Sequence, residues 1–164
     1  MNITVQTSIA KPVAQVWEVM GTQFGHAHRW SSNFKTSKPG GPARFAGIDH
    51  SLRDTTTDRG NTIQELTHFD AEQHTLTYII TQGAPEIAKS AGATWSLQAQ
   101  GQQSTQLTME FVMEPKMPLP ADMEAKVRMG LTAAVNTLAQ ELKYYLEEGT
   151  PHPNNASKTQ ATSN

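Results

Sequence analysis

The sequence predicts an α+β domain in which one antiparallel sheet grips one long C-terminal helix. Three observations predict it. From Ser51 to Met113 apolar and polar residues alternate in short runs divided by turn signals, the pattern of half-buried strands. From Pro120 to Gly149 the apolar residues Met123, Val127, Leu131, Val135, Leu138, Leu142 and Tyr145 recur at three- and four-residue steps, and so share one helix face. The composition of the 164 residues does not break before the C-terminal tail, so sheet and helix belong to one domain, residues 1–149, with enough chain to bury a core. Such a helix would run roughly 40 Å. With only a narrow apolar stripe it is marginal alone and needs a sheet to lie on.

In chain order, Ile3, Val5 and Ile9 alternate with polar residues as a first strand. Pro12 opens a helix whose apolar face is Val13, Val16, Trp17 and Met20. Gly21 and Gly25 interrupt it, and Thr22 to Trp30 reads as a second short helix or an irregular turn. Phe34 is assigned to a second strand, and Lys38-Pro39-Gly40-Gly41-Pro42 to a turn. Ser51 to Thr57 is a threonine-rich strand, Asp58-Arg59-Gly60-Asn61 a hairpin turn, and Thr62 to Phe69 the returning strand. Leu76, Tyr78 and Ile80 mark the next strand, which Gly83-Ala84-Pro85 ends. Ala93, Trp95 and Leu97 form one strand face, and Leu107, Met109, Phe111 and Met113 another. A turn over Gly101 to Gln103 would set Trp95 opposite Met109 and Ala93 opposite Phe111. Prolines 115, 118 and 120 then launch the helix, with Asp122 as its expected N-cap and Gly149 with Pro151 as its stop. Gly130, Ala133 and Ala134 thin the helix midway, which permits either close packing or an unfilled space beneath. Residues 150–164 hold no apolar anchor and are expected to be a flexible tail.

Composition narrows the function. The net charge is −2 and the cations are scattered, which argues against nucleic acid as a partner. No apolar run approaches the ~20 residues of a membrane span. Met1 to Ala10 alternates and lacks a signal-peptide core. With no cysteine there is no disulfide and no thiolate chemistry, which fits a cytoplasmic protein. Phosphate loops, nucleophile elbows and His-Glu-x-x-His are absent, so no cofactor is expected. His26 and His28, with Asp49 or His50, raise a metal question, but two histidines two apart do not make a site, and no metal is expected.

Ile9-Ala10-Lys11-Pro12-Val13-Ala14-Gln15-Val16-Trp17 resembles the opening of the START-like, or SRPBCC, superfamily, which includes the polyketide cyclase/dehydrase and birch-pollen-allergen-like proteins. Phe24-Gly25 with Trp30, then Arg53, Gly60, Glu65-Leu66 and Asp70, then Tyr78, Trp95 and the ending from Leu142 to Gly149 are similar to its later landmarks, over roughly residues 2–149. The stretch from Lys38 to His50 departs from the pattern, being longer and richer in glycine and proline. The resemblance implies a helix-grip fold, a seven-stranded antiparallel sheet around the C-terminal helix, with an apolar pocket between them for lipid-, sterol- or polyketide-like molecules.

Residues able to line such a pocket are Trp30, Phe34, Tyr78, Trp95, Met109, Phe111 and Met113, with Val127 and Leu131 on the helix; the alternative is that they simply fill the core. Arg53 and Glu65 stand on neighbouring strands. Glu65 follows Ile63 at a two-residue step, which would turn it inward beside the guanidinium as a polar anchor. One residue of slip would leave it in a surface ion pair. His68 and Tyr78 complete the acid–base candidates. The expected partner is therefore a hydrophobic small molecule, held by a carrier or sensor. The competing readings are a cyclase or dehydratase using Glu65, Arg53, Tyr78 or His68, and a protein-interaction module with a sealed core.

Overall fold

A computed structural model describes residues 1–156 and Lys158. The alternating stretches fold into seven strands: β1 (Asn2–Ile9), β2 (Thr36–Gly40), β3 (Leu52–Thr57), β4 (Gly60–Asp70), β5 (Thr75–Gln82), β6 (Ala88–Ala99) and β7 (Thr105–Pro115). They form one antiparallel sheet in the order β1-β7-β6-β5-β4-β3-β2. The expected pairs Trp95–Met109 and Ala93–Phe111 are present. Gly92 lies where β6 passes closest to β5, since a Cβ there would come within 2.5 Å of the Tyr78 carbonyl oxygen.

Two short elements join β1 to β2. Helix α1 (Val13–Trp17) widens directly into a π turn over 18–22, and a 3₁₀ segment, Phe24–Arg29, kinks at His26. The predicted turn at 38–42 is a correction: Thr36–Gly40 is strand β2, and Phe34 precedes it. Pro39 is tolerated because β2 is the sheet's edge, where a missing N–H costs no ladder bond.

Helix α2 (Ala121–Glu148) starts two residues earlier than an N-cap at Asp122 implies. Pro120 holds the cap position with no side-chain bond, and Asp122 sits in the first turn, where its charge still complements the helix dipole. Gly149 closes the helix at φ 76°, a left-handed conformation that glycine adopts without strain. The helix runs in the same direction as β1, the other edge strand. Arg128 Nη1 donates to the Asn2 carbonyl (3.1 Å), Lys143 Nζ donates to the Ser8 carbonyl (2.6 Å), and Glu147 accepts from the Ala10 N–H (3.2 Å). The helix thus satisfies edge groups that would otherwise invite another strand. No helix among the described residues is long and apolar enough to cross a membrane.

The main core joins Ile9, Val16, Trp30, Leu76, Trp95, Leu107 and Met109 of the sheet side to Val135, Ala139 and Leu142 of α2. A second, smaller cluster of Ala88, Ala91 and Met113 meets Val127 and Leu131 near the start of the helix, with Met1, Ile80 and Phe111 partly covering it.

The tail also departs from expectation. Residues 150–156 and Lys158 dock rather than hang free. Pro153–Asn155 forms a 3₁₀ turn, and Asn155 is buried with its Nδ2 donating to the Trp30 carbonyl (3.2 Å). Lys158 Nζ donates to the carbonyls of His28, Ser31 and Phe34. The anchor is polar, so a search for apolar residues could not reveal it. The rest of the predicted tail, Ser157 and 159–164, lies outside the described residues.

Candidate functional site

The inner face of the sheet carries one buried cation. Arg53, on β3, is 0% exposed. Its Nε donates to Gln64 Oε1 (2.8 Å) and its Nη1 to the Phe24 carbonyl (3.1 Å), while Nη2 is buried without a hydrogen-bond partner. The guanidinium carbon lies 4.0 Å from the Phe24 ring centroid, 5.0 Å from Phe34, 5.1 Å from Tyr78 and 5.3 Å from Trp95. Four aromatic faces partly replace the lost water. Burial pushes the Arg53 pKa down to about 10, against support from the Tyr78 hydroxyl. Arg53 is therefore still cationic at neutral pH. Burial likewise pushes the Tyr78 hydroxyl up, and the neighbouring Arg53 charge offsets this only in part.

The predicted Arg53–Glu65 pair does not form. Gln64, not Glu65, stands opposite Arg53 and points inward. Glu65 faces out and pairs with Arg44 at 2.7 Å, a half-exposed bond of the kind that contributes little. His68 is exposed as well. The physical reason is that an isolated apolar residue, Ile63, does not mark the inner face of β4, whose pairing with β5 also shifts between Ile63 and Gln64 and between Leu66 and His68. The two-residue step from Ile63 to Glu65 is kept, but Ile63 itself lies on the outer side, half-buried, while Gln64 and Leu66 take the inner face.

The other predicted residues divide into two groups. Trp30, Phe34, Tyr78, Trp95 and Met109 are buried in the main core. Met113, Val127 and Leu131 belong to the smaller cluster, and Phe111 joins the two. Over that smaller cluster the helix is poorly seated. Met123 is 44% exposed although it lies on the apolar stripe, and Val127 and Leu131 are only half-buried. A Cβ on Gly130 would meet nothing within 4 Å. Beneath, the β5–β6 ladder ends at Ile79–Gly92, although the strands extend to Gln82 and Ala88.

Two surface clefts lie apart from this region. One, of about 530 Å³, is lined by Thr22, Gln23, His26, Arg29, Pro39, Gly47, Ile48, Asp49 and His50. The other, of about 450 Å³, lies between His28, Arg29, Lys35 and the docked tail. His50 accepts the Gly25 N–H on Nε2 (3.1 Å), so its proton is on Nδ1, facing Asp49 Oδ1 (2.9 Å). Both ring nitrogens are thus engaged. The hydrogen bond from His50 in turn holds the Asp49 carboxyl low. His26 and His28 are both pushed below the usual histidine value, first by burial and then by neighbouring cations, Arg29 for His26 and Lys158 for His28. Among the described residues no three His, Cys, Asp or Glu side chains converge as a metal site.

Sequence reasoning missed Gln64, the partner of Arg53, and Phe24, whose ring and carbonyl both hold the guanidinium. An inward polar residue between Ile63 and Glu65 gives no local signal of its facing. Phe24 was legible only as a landmark in a turn.

Residues 1–147 match the family described as polyketide cyclase / dehydrase and lipid transport. Among solved structures, a START superfamily protein from Mycobacterium smegmatis is similar at 18% identity with a TM-score of 0.73, covering 91% of this chain and 99% of that one. The protein XoxI from Bacillus cereus is similar at 16% identity and 0.66, covering 90% and 94%. A protein from Thermus thermophilus is similar at 14% identity and 0.66, covering 89% and 97%. At these identities the likeness is one of fold. No protein of curated function matches the chain.

Proposed function

The chain belongs to the polyketide cyclase / dehydrase and lipid transport family, and on that premise we propose that it binds a hydrophobic small molecule between the sheet and the N-terminal half of α2, as a carrier or sensor. The observation that carries this reading is the unfinished end of the sheet–helix interface. The apolar stripe of α2 continues through Leu131, Val127 and Met123, themselves half-buried or exposed, over a buried floor of the small or flexible residues Ala88, Ala91 and Met113. Small and flexible side chains make such a place adaptable. Binding is favoured over acid–base catalysis because Glu65 and His68 face outward. The two candidates left inside, Arg53 and Tyr78, are both protonated at neutral pH and offer no ready base.

The test is uptake of the uncharged dye N-phenyl-1-naphthylamine, alongside native mass spectrometry and organic extraction of freshly purified protein. A saturable site near one per chain, lost when Val127→Trp fills the gap, is the expected result. No dye uptake and no co-purifying molecule would sink the reading and leave a sealed interaction module.

A further inference from the structure

If a ligand lies between the sheet and α2, as proposed above, the residues of the sheet's inner face define its chemistry. The pairings place Arg53 beside Gln64 and Gln64 beside Ile80, and Ala91 beside Met113. Ile80 and Ala91 each lie one residue past the last β5–β6 pair, Ile79–Gly92. Arg53, Gln64, Ile80, Ala91 and Met113 therefore form one row across the inner face, polar at the β3–β4 end and apolar at the β6–β7 end. Thr55 and Thr62 extend the polar end, with their hydroxyl oxygens 2.6 Å apart.

Arg53 is a cation without an anion. None of the carboxylates in ion pairs among the described residues reaches it, and two of its three nitrogens are satisfied by neutral acceptors. A role as a strut for Gln64 and Phe24 accounts for Nε and Nη1 but leaves Nη2 with no acceptor in hydrogen-bond geometry, and the one polar group that supports the charge beside it, the Tyr78 hydroxyl, is neutral. A desolvated charge left in that state is costly, and an anionic oxygen is what would offset it. We propose that Arg53 receives an anionic oxygen, such as a carboxylate or enolate, at one end of the ligand, whose apolar body lies along Ile80, Ala91 and Met113 beneath the start of α2. The ligand class is then an amphipathic acid rather than a neutral sterol or hydrocarbon. Because Phe24 and Phe34 close over the guanidinium, the head group enters by displacing a ring or lifting the loosely seated end of the helix.

The experiment compares two dyes with one ring skeleton, 1-anilinonaphthalene-8-sulfonate and uncharged N-phenyl-1-naphthylamine, on the wild-type chain and on Arg53→Lys and Arg53→Met. The wild type should prefer the anionic dye by about tenfold or more. Arg53→Met should lose the preference while still binding the neutral dye, and Arg53→Lys should keep part of it. In the wild type the Arg53 Nε resonance, followed by ¹⁵N NMR, should shift with the anionic dye and not with the neutral one. This readout decides the matter if Arg53→Met does not fold. Uptake of both dyes with equal affinity, or an unmoved Nε resonance, overturns this inference and leaves the pocket standing. Uptake of neither dye overturns the pocket and this inference together.

Discussion

The two halves of α2 share one helical repeat and differ in what lies under them. From Val135 to Leu142 the inner face is sealed at Val135, Ala139 and Leu142, the last two at 0% exposure, with Leu138 half-buried at its margin. The buried Glu141 there accepts from the backbone N–H and hydroxyl of Ser32 and from Asn154 Nδ2, binding helix, turn and tail together. From Met123 to Leu131 the same stripe is open or half-open, over small residues and a ladder that stops short. The difference teaches that amphipathic spacing sets which face of a helix turns inward, while the residues opposite decide whether that face is buried. One half can then serve stability and the other can yield to a ligand.

The largest test of that division compares apolar truncations. Leu142→Ala should cost about 2–5 kcal/mol of unfolding free energy, and Val127→Ala about 1 kcal/mol or less. Urea midpoints at constant m would read both, and equal losses would erase the distinction. Next in size, Glu141→Ala should cost about 3 kcal/mol, because it strands the Ser32 N–H and frees the tail. Its mark would be faster hydrogen exchange at Ser32 and through 150–156, with residues 121–130 unchanged. In the open half the effect should reverse sign. Gly130→Ala has nothing to clash with and should stabilise by about 0.5–1 kcal/mol through helix propensity alone, seen as a raised midpoint. A loss there would mean that the helix is seated more tightly than its exposure indicates.

The smallest effect is a pH dependence in the turn over 24–34, which the tail straps down beside the C-terminal half. The folded values of His26 and His28 lie below the ordinary 6.5. Just under that pH the unfolded chain takes up protons that the folded chain refuses. Their contribution is complete above pH 6.5 and is lost as the pH falls from there through the folded values. A His26→Gln, His28→Gln double variant should flatten the stability profile between about pH 6.5 and 5. A slope unchanged in the variant would place the titrating groups elsewhere.

Much of this was legible in the sequence. Alternation from Leu76 to Met113 marked the strands, and the turn over Gly101 to Gln103 set the register of the last two, because a two-residue repeat bounded by turn residues admits few registers. The three- and four-residue repeat fixed α2, and Gly149 fixed its end. At the site the sequence singled out Arg53 and Tyr78 and mistook Glu65, since Ile63, the apolar residue two before it, lies on the outer side while the polar Gln64 takes the inner one. It read the tail as loose because Asn155 and Lys158 dock by hydrogen bonds to carbonyls, which polar composition does not distinguish from solvation.

By itself the sequence determined the order of strands and helices, the apolar face of the long helix and the family. These follow from local periodicity and short motifs, which near neighbours in the chain settle. Only the tertiary structure decided that Arg53 stands inside without a counter-ion, that Gln64 rather than Glu65 accompanies it, and that the stripe of α2 from Met123 to Leu131 is only partly buried. Each depends on which residues meet across the sheet from distant parts of the chain, where one extra residue in a strand exchanges the inner face for the outer.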